Sequence, residues 1–361
     1  MSIRIQLTDV TTEVGGRPFS YLCTALVAVA LVAAPVCGQG PSIRYGAQVP
    51  SDVKLTYERG LKYLATTQQE DGSWAGGQTG GGITGLCLMA FLASGEDPNY
   101  GQYNVQVRRA VRSIIRSQNV STGYIPNSMY HHGFACLALA EAYGTVNDSL
   151  VWDTNDAGKQ RSIGEALELA VRCSITSQQK NPQGAWRYSP DARDADTSVA
   201  GAVMMGLLAA RNAGIEVPDE VVDKAIKYFH SNTSDSGMVA YSGGIGGMGE
   251  SMNRSSVATL VSAVGKRKES KEFKATLQHI TSRLDHQESG HPFYFRYYMA
   301  QALFQGDFDA WTKWKEENIQ IIRGMQQDDG SVPANYGPAY GTAMSLLSLA
   351  LDFRFLPIYE R

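Results

Sequence analysis

Two helical textures alternate along this chain. In the first, apolar residues recur on one face only. Val107, Val111, Ile114 and Ile115 mark one side of a helix whose other side carries Arg108, Arg112 and Arg116, and Val221, Val222, Ala225, Ile226 and Phe229 repeat the pattern. In the second, the run is apolar nearly all round, as in residues 199–210 and, broken only by two serines, residues 343–351. A helix with no polar face has to be enclosed by other helices. A Gln- and Gly-rich turn ending near an aromatic separates the two textures; its clearest copy is Gln68-Gln69-Glu70-Asp71-Gly72-Ser73-Trp74. Aligned turn glycines fall at Gly72, Gly123, Gly184, Gly237, Gly290 and Gly330, spaced 51, 61, 53, 53 and 40 residues apart. Each spacing suits one helical hairpin. The pattern predicts an all-α chain of six hairpins closed into a ring, with the one-sided helices outside and the apolar helices inside.

Strands are not expected, because no run alternates steadily between turn signals. Residues 243–249 read as a Gly-rich loop, and the polar insertion at 145–162 accounts for the longest spacing. Every turn leads into the start of an inner helix, so the six starts are expected at one end of the ring. They include Thr84, His131 and His132, and residues 196–198, 253–256, 293–296 and 340–342. Helix N-termini carry unpaired N–H groups and the positive end of the dipole. That mouth is the expected place for function.

Composition narrows the classes. The 361 residues are 43% hydrophobic and 19% charged, an ordinary globular balance that the repeats fill as one domain. Net charge is -3 and no basic stripe with interleaved aromatics occurs, which argues against a nucleic-acid partner. The run Lys266-Arg267-Lys268, with Lys271 and Lys274, reads as a solvated helix face. Residues 22–36 form an uncharged apolar run followed by small residues, which reads as a secretory signal over 1–38, a linker over 39–51 and the hairpin domain over 52–361. Counted from Phe19 to Gly38, the same stretch approaches the length of an uncleaved anchor, so both readings stand. Either one implies export to the periplasm or cell envelope. The domain keeps Cys87, Cys136 and Cys173, each in apolar helical text, which are expected to be buried free thiols.

At Gln68 to Trp74, and again at Gln326-Gln327-Asp328-Asp329-Gly330-Ser331, the chain resembles the repeats shared by squalene cyclases and protein prenyltransferase β subunits. The resemblance spans roughly residues 52–361. It is closer to exported bacterial single-toroid proteins with a prenyltransferase and squalene-oxidase repeat, a group without an assigned reaction. The phrases that carry it are His132-Gly133-Phe134-Ala135, Trp186-Arg187-Tyr188, Asp196-Thr197-Ser198-Val199, Tyr297-Tyr298 and Phe355-Leu356-Pro357-Ile358-Tyr359. It implies an α/α toroid (α6/α6 barrel) around a central apolar cavity that holds a small isoprenoid-like ligand. Membrane association would come only from proximity to a lipid substrate or from an uncleaved anchor, and no protein partner or cofactor is indicated.

The resemblance also suggests chemistry. Squalene–hopene-type cyclases protonate an alkene from an Asp-x-Asp-Asp-Thr motif at an inner-helix start, with a carboxyl kept protonated by its neighbours in a dry cavity. Asp194 and Asp196 fill the first two acidic positions here, and Thr197 stands where the third belongs. The competing reading is that Asp196, Thr197 or Ser198 caps the helix. Only one of the adjacent His131 and His132 can face the cavity; His132 is the candidate acid–base group, and the alternative is a hydrogen-bonded wall residue. Trp186, Tyr188, Tyr294, Tyr297 and Tyr298, with His131 and Thr197, are candidate ligand contacts, although core packing and turn bracing also explain the aromatics. A prenyltransferase zinc site needs an Asp two residues before a Cys, whereas Gly85, Phe134 and Val171 stand there, so no metal is expected. Gly247-Met248-Gly249-Glu250-Ser251 resembles the thioester loop of complement-type toroids but lacks its Cys and Gln. Three functions remain open: binding an apolar ligand, with cyclase-type chemistry conceivable; a non-catalytic interaction module; and a carbohydrate-active toroid enzyme.

Overall fold

The computed structural model describes residues 49–152, 160–243, 249 and 251–359. The expected signal segment 1–38 and residues 39–48 of the expected linker lie outside the described residues. Among those residues the secondary structure is helical, with two isolated bridges and no strand. Thirteen α-helices follow one another: α1 (Ser51–Thr67), α2 (Gly81–Leu92), α3 (Asn104–Ser117), α4 (Met129–Ala142), α5 (Asp148–Val151), α6 (Ile163–Lys180), α7 (Thr197–Asn212), α8 (Asp219–Ser231), α9 (Met252–Val264), α10 (Lys271–Thr281), α11 (Pro292–Gly306), α12 (Phe308–Met325) and α13 (Pro338–Leu349).

The two textures separate into two layers. Helices α2, α4, α7, α9, α11 and α13 each pack against the next, and α13 returns to α2, closing an inner ring. All twelve residues of α2 are buried, as its lack of a polar face demands. The partners α1, α3, α6, α8, α10 and α12 present one face to that ring and the other to solvent. The chain is an α/α toroid of six hairpins. The insertion contributes α5, whose Asp148 accepts a hydrogen bond from the Ile163 N–H at 2.8 Å and so holds the start of α6.

A repeated clasp joins four of the turns to the next outer helix. The Gln68 amide donates to the carbonyl of its own turn at Gly72 (3.1 Å) and to that of Gln106 on α3 (3.0 Å). Gln118 does the same to Gly123 and Ala166 on α6, and Gln178 to Gly184 and Val221 on α8. Gln326 carries the clasp across the seam, from Gly330 to Thr56 on α1. The turn glycine fits beneath. A Cβ at Gly330, at φ 90°, would stand 2.2 Å from the Arg59 carbonyl oxygen of α1. Gly290, aligned with the others by sequence, lies outside the left-handed region, and its N–H donates to Glu288 instead. Trp74 and Trp186 brace two turns by donating their indole N–H groups to the Leu64 and Ser174 carbonyls.

The far end of the ring is covered by the C-terminal tail. The short turn Pro357–Tyr359 packs on α7, and the Ile358 N–H lies 3.5 Å from the buried Glu141 carboxylate of α4. The hub opens at the other end, where the inner helices start.

Because both amide hydrogens of Gln178 are spent on carbonyls, Gln178→Ala is expected to lower stability by about 2 kcal/mol in urea unfolding at neutral pH. Gln178→Glu is expected to cost more, since it sets a carboxylate against two carbonyl oxygens. Equal stability of Gln178→Ala and the parent chain would contradict the clasp.

Candidate functional site

A cavity of about 760 Å3 occupies the open end. That volume falls within the few hundred to about 1,000 Å3 usual for small-molecule sites. Every inner helix contributes to it from a cap or first turn: Gly82 of α2, Ser128 and Tyr130 of α4, Ser198 of α7, Ser251 and Arg254 of α9, His291 and Tyr294 of α11, and Tyr336 and Tyr340 around the start of α13. The lining is graded. Ile83, Leu86, Phe134 and Met344 are buried and apolar, whereas Gln78, Thr79, Asn127 and His291 are exposed and polar. Between them stand six tyrosines, Tyr130, Tyr188, Tyr241, Tyr294, Tyr336 and Tyr340. Rings meet across the hub, with Tyr130 edge-on to Tyr294 at 6.1 Å in the lining and Phe134 of the floor edge-on at 6.0 Å to Tyr297 beneath it.

The adjacent histidines divide their work, and in the reverse sense to the sequence reading. His131 lines the cavity. Its Nδ1 accepts the Gly82 N–H at 3.2 Å, so the ring proton sits on Nε2, which has no partner among the described residues. Burial lowers its pKa from the ordinary histidine value, leaving a neutral donor at pH 7. His132, the candidate acid–base group, turns outward into the seam with α6. Its Nδ1 accepts the Ile125 N–H at 3.1 Å, and Nε2 lies 3.0 Å from both the Ala170 carbonyl and the Ser174 hydroxyl. Burial pulls its pKa down to about 4 against the opposing pull of the Ala170 carbonyl, and a second ring proton would meet the Ile125 N–H with no acceptor.

The two aspartates also part. Asp196 caps α7, its Oδ1 accepting the Ser198 and Val199 N–H groups at 2.7 and 2.9 Å. Its Oδ2 lies 3.4 Å from the Tyr188 hydroxyl, which in turn lies 2.8 Å from that of Tyr241. Asp194 faces solvent and pairs with Arg187 at 2.8 Å. The Arg187 guanidinium stacks over both the Tyr188 and Tyr241 rings at the mouth. Partial burial, then Asp196 and Tyr188, raise the Tyr241 pKa, so that phenol is a donor rather than a base. Thr197 is buried and donates to the Ala240 carbonyl at 2.7 Å, and Trp186 is buried in its turn. Of the candidate contacts, His131, Tyr188 and Tyr294 line the cavity, while Tyr297 and Tyr298 are packed beneath it. No Asp or Glu is among the described lining residues, and Glu250 lies outside the described residues. Among the described residues no cluster of His, Cys, Asp or Glu could hold a metal, and no helix is long and apolar enough to cross a membrane.

Sequence reasoning did not single out Arg254, Tyr130 or Tyr241. Arg254 sat in the predicted mouth by register, which was the available signal. Its Nε donates to the Val239 carbonyl at 2.7 Å, and Nη2 to that of Gly249. Burial lowers its pKa and nearby Asp196 opposes the shift, which leaves the guanidinium charged.

No protein-family model and no curated protein matches the chain. Solved structures do. An inactive variant of an α-1,6-mannanase of Salegentibacter sp. HEL1_6, in complex with α-1,6-mannotriose, superposes with a TM-score of 0.60 at 9% identity, covering 84% of this chain and 99% of that one. A variant of the type II terpene cyclase MstE from Scytonema, in complex with geranylgeranyl dihydroxybenzoate, gives 0.58 at 13% identity, covering 84% and 98%. The shared feature is the toroid fold. At these identities the likeness extends no further, and the lining alone speaks to the ligand.

His132 generates a pH prediction. Its pKa is about 4 in the folded chain against 6.5 when exposed, so the unfolded chain binds the extra proton between those values. The stabilisation from keeping it neutral is complete above the unfolded pKa and is lost as pH falls toward 4. Between pH 7 and pH 5 the parent chain is expected to lose about 2 kcal/mol more than His132→Gln in urea unfolding. Identical losses would show that His132 titrates normally.

Proposed function

We propose that this chain binds a small amphipathic molecule with an isoprenoid-like body in the cavity at the start of its inner helices. The observation that carries the reading is the graded lining: apolar side chains at depth, a tyrosine girdle, and a polar mouth. A flexible apolar chain gains most from the buried end, where each methylene removed from water contributes about 0.8 kcal/mol. Tyrosine suits the middle, since its ring packs on hydrocarbon and its hydroxyl finds polar partners. The same fold accommodates a ligand with a geranylgeranyl group in the cyclase neighbour.

Two readings compete. Acid-initiated chemistry would draw its proton from Asp196, whose path to the cavity runs through the Tyr188 and Tyr241 hydroxyls, while Asp196 is committed to its cap. A sugar would stack on Tyr188 and Tyr241, which are 46% and 40% exposed at the mouth. Glycoside hydrolysis, however, requires a pair of carboxylates flanking the bond, and the described lining supplies none. Export to the cell envelope belongs to the proposal and rests on the N-terminal apolar run.

Calorimetric titration separates the readings. Farnesol is expected to bind with one site per chain, and Ile83→Asn, which sets an amide on the apolar floor, to weaken it about tenfold or more. Binding of α-1,6-mannotriose without binding of farnesol would transfer the site to the sugar reading.

A further inference from the structure

The polar end of the cavity has a chemical preference of its own. Arg254 lines the wall, and after its two backbone bonds its third nitrogen, Nη1, makes no hydrogen bond among the described residues. Next to it on α9, Asn253 is 7% exposed, and its buried Oδ1, an acceptor, has no hydrogen-bond partner among those residues. His131 adds the unpartnered Nε2–H from α4. Arginine and the Nε2–H can only donate, whereas the orphaned Asn253 oxygen calls for a donor such as a hydroxyl beside the head group.

The sign of the field agrees. Six helix starts direct their positive dipole ends at this space, and the described lining offers one cation and no carboxylate, the nearby Asp196 standing behind the Tyr188 hydroxyl with its Oδ1 held by two α7 N–H groups. The tyrosine girdle could in principle cradle a cation, but the Arg254 guanidinium in the same wall would repel it. The geometry points to an oxyanion, a carboxylate or a phosphate, as the head group of the bound molecule, held by Arg254 with His131. This inference rests on the binding reading above and names the chemistry of the ligand's polar end.

The test compares farnesol, farnesoic acid and farnesyl monophosphate by calorimetry at pH 7 in low salt. At least one of the two anions is expected to bind about tenfold or more tightly than the alcohol, the gain of a charge-assisted hydrogen bond. Which anion gains identifies the head group as carboxylate or phosphate. In Arg254→Gln the ratio of anion to alcohol affinity is expected to fall toward one, and in Arg254→Lys to recover in part, with folding of both variants checked by thermal melts. Equal affinity of all three probes for the parent chain overturns the oxyanion and leaves the apolar-body reading standing. Binding of none of them overturns both. An anion preference that survives in a folded Arg254→Gln removes Arg254 from the role.

Discussion

Helices without a polar face can persist in water only if other helices surround them, and a ring that closes on itself is how this chain meets that constraint. Closure depends on one side-chain amide used repeatedly. A glutamine at the end of an outer helix spends both hydrogens on carbonyls, one in its own turn and one on the next outer helix. The same bond pair at Gln326 ties the last turn to α1, so the seam is made like the joints. A local motif thereby sets a global geometry. With four turns fixed in this way, the inner helices all start at one end, and the space their caps enclose becomes the cavity.

Much of this was legible in the sequence, because the clasp needs particular atoms. Glutamine reaches two carbonyls, and glycine alone lets the next helix pass so closely, so both leave a repeating trace. The trace misled once. Gly290 keeps the spacing, but its turn is held by Glu288 rather than by a glutamine clasp. The insertion at 145–162 was read as polar chain, and its start forms α5 because Val151 and Trp152 find apolar cover.

The site was legible in place but not in detail. Adjacent residues on a helix point about 100° apart, so which of His131 and His132 meets the hub depends on a rotation that the sequence pattern does not fix. The Asp194–Asp196 pair looked like a reacting group because its spacing matches an acid motif, yet an aspartate at an inner-helix start is also the ideal cap, and Asp196 is used that way. Arg254 carried no motif at all. Its importance comes from which nitrogens its backbone partners leave uncommitted, a property of three dimensions. The fold is shared by a mannanase and a terpene cyclase, so the ring itself chooses no ligand. That choice belongs to the side chains at the inner-helix starts, where a few substitutions alter the lining without touching the clasps.

The most direct measurement is native mass spectrometry of the protein purified from its own host, followed by extraction of whatever it carries. The account predicts one small molecule per chain, amphipathic and isoprenoid-like. It also predicts that the molecule is lost when Thr79→Trp fills the exposed rim of the cavity. A bare chain, or a ligand retained in full by the Thr79→Trp variant, would contradict the central claim that this end of the ring is a binding site.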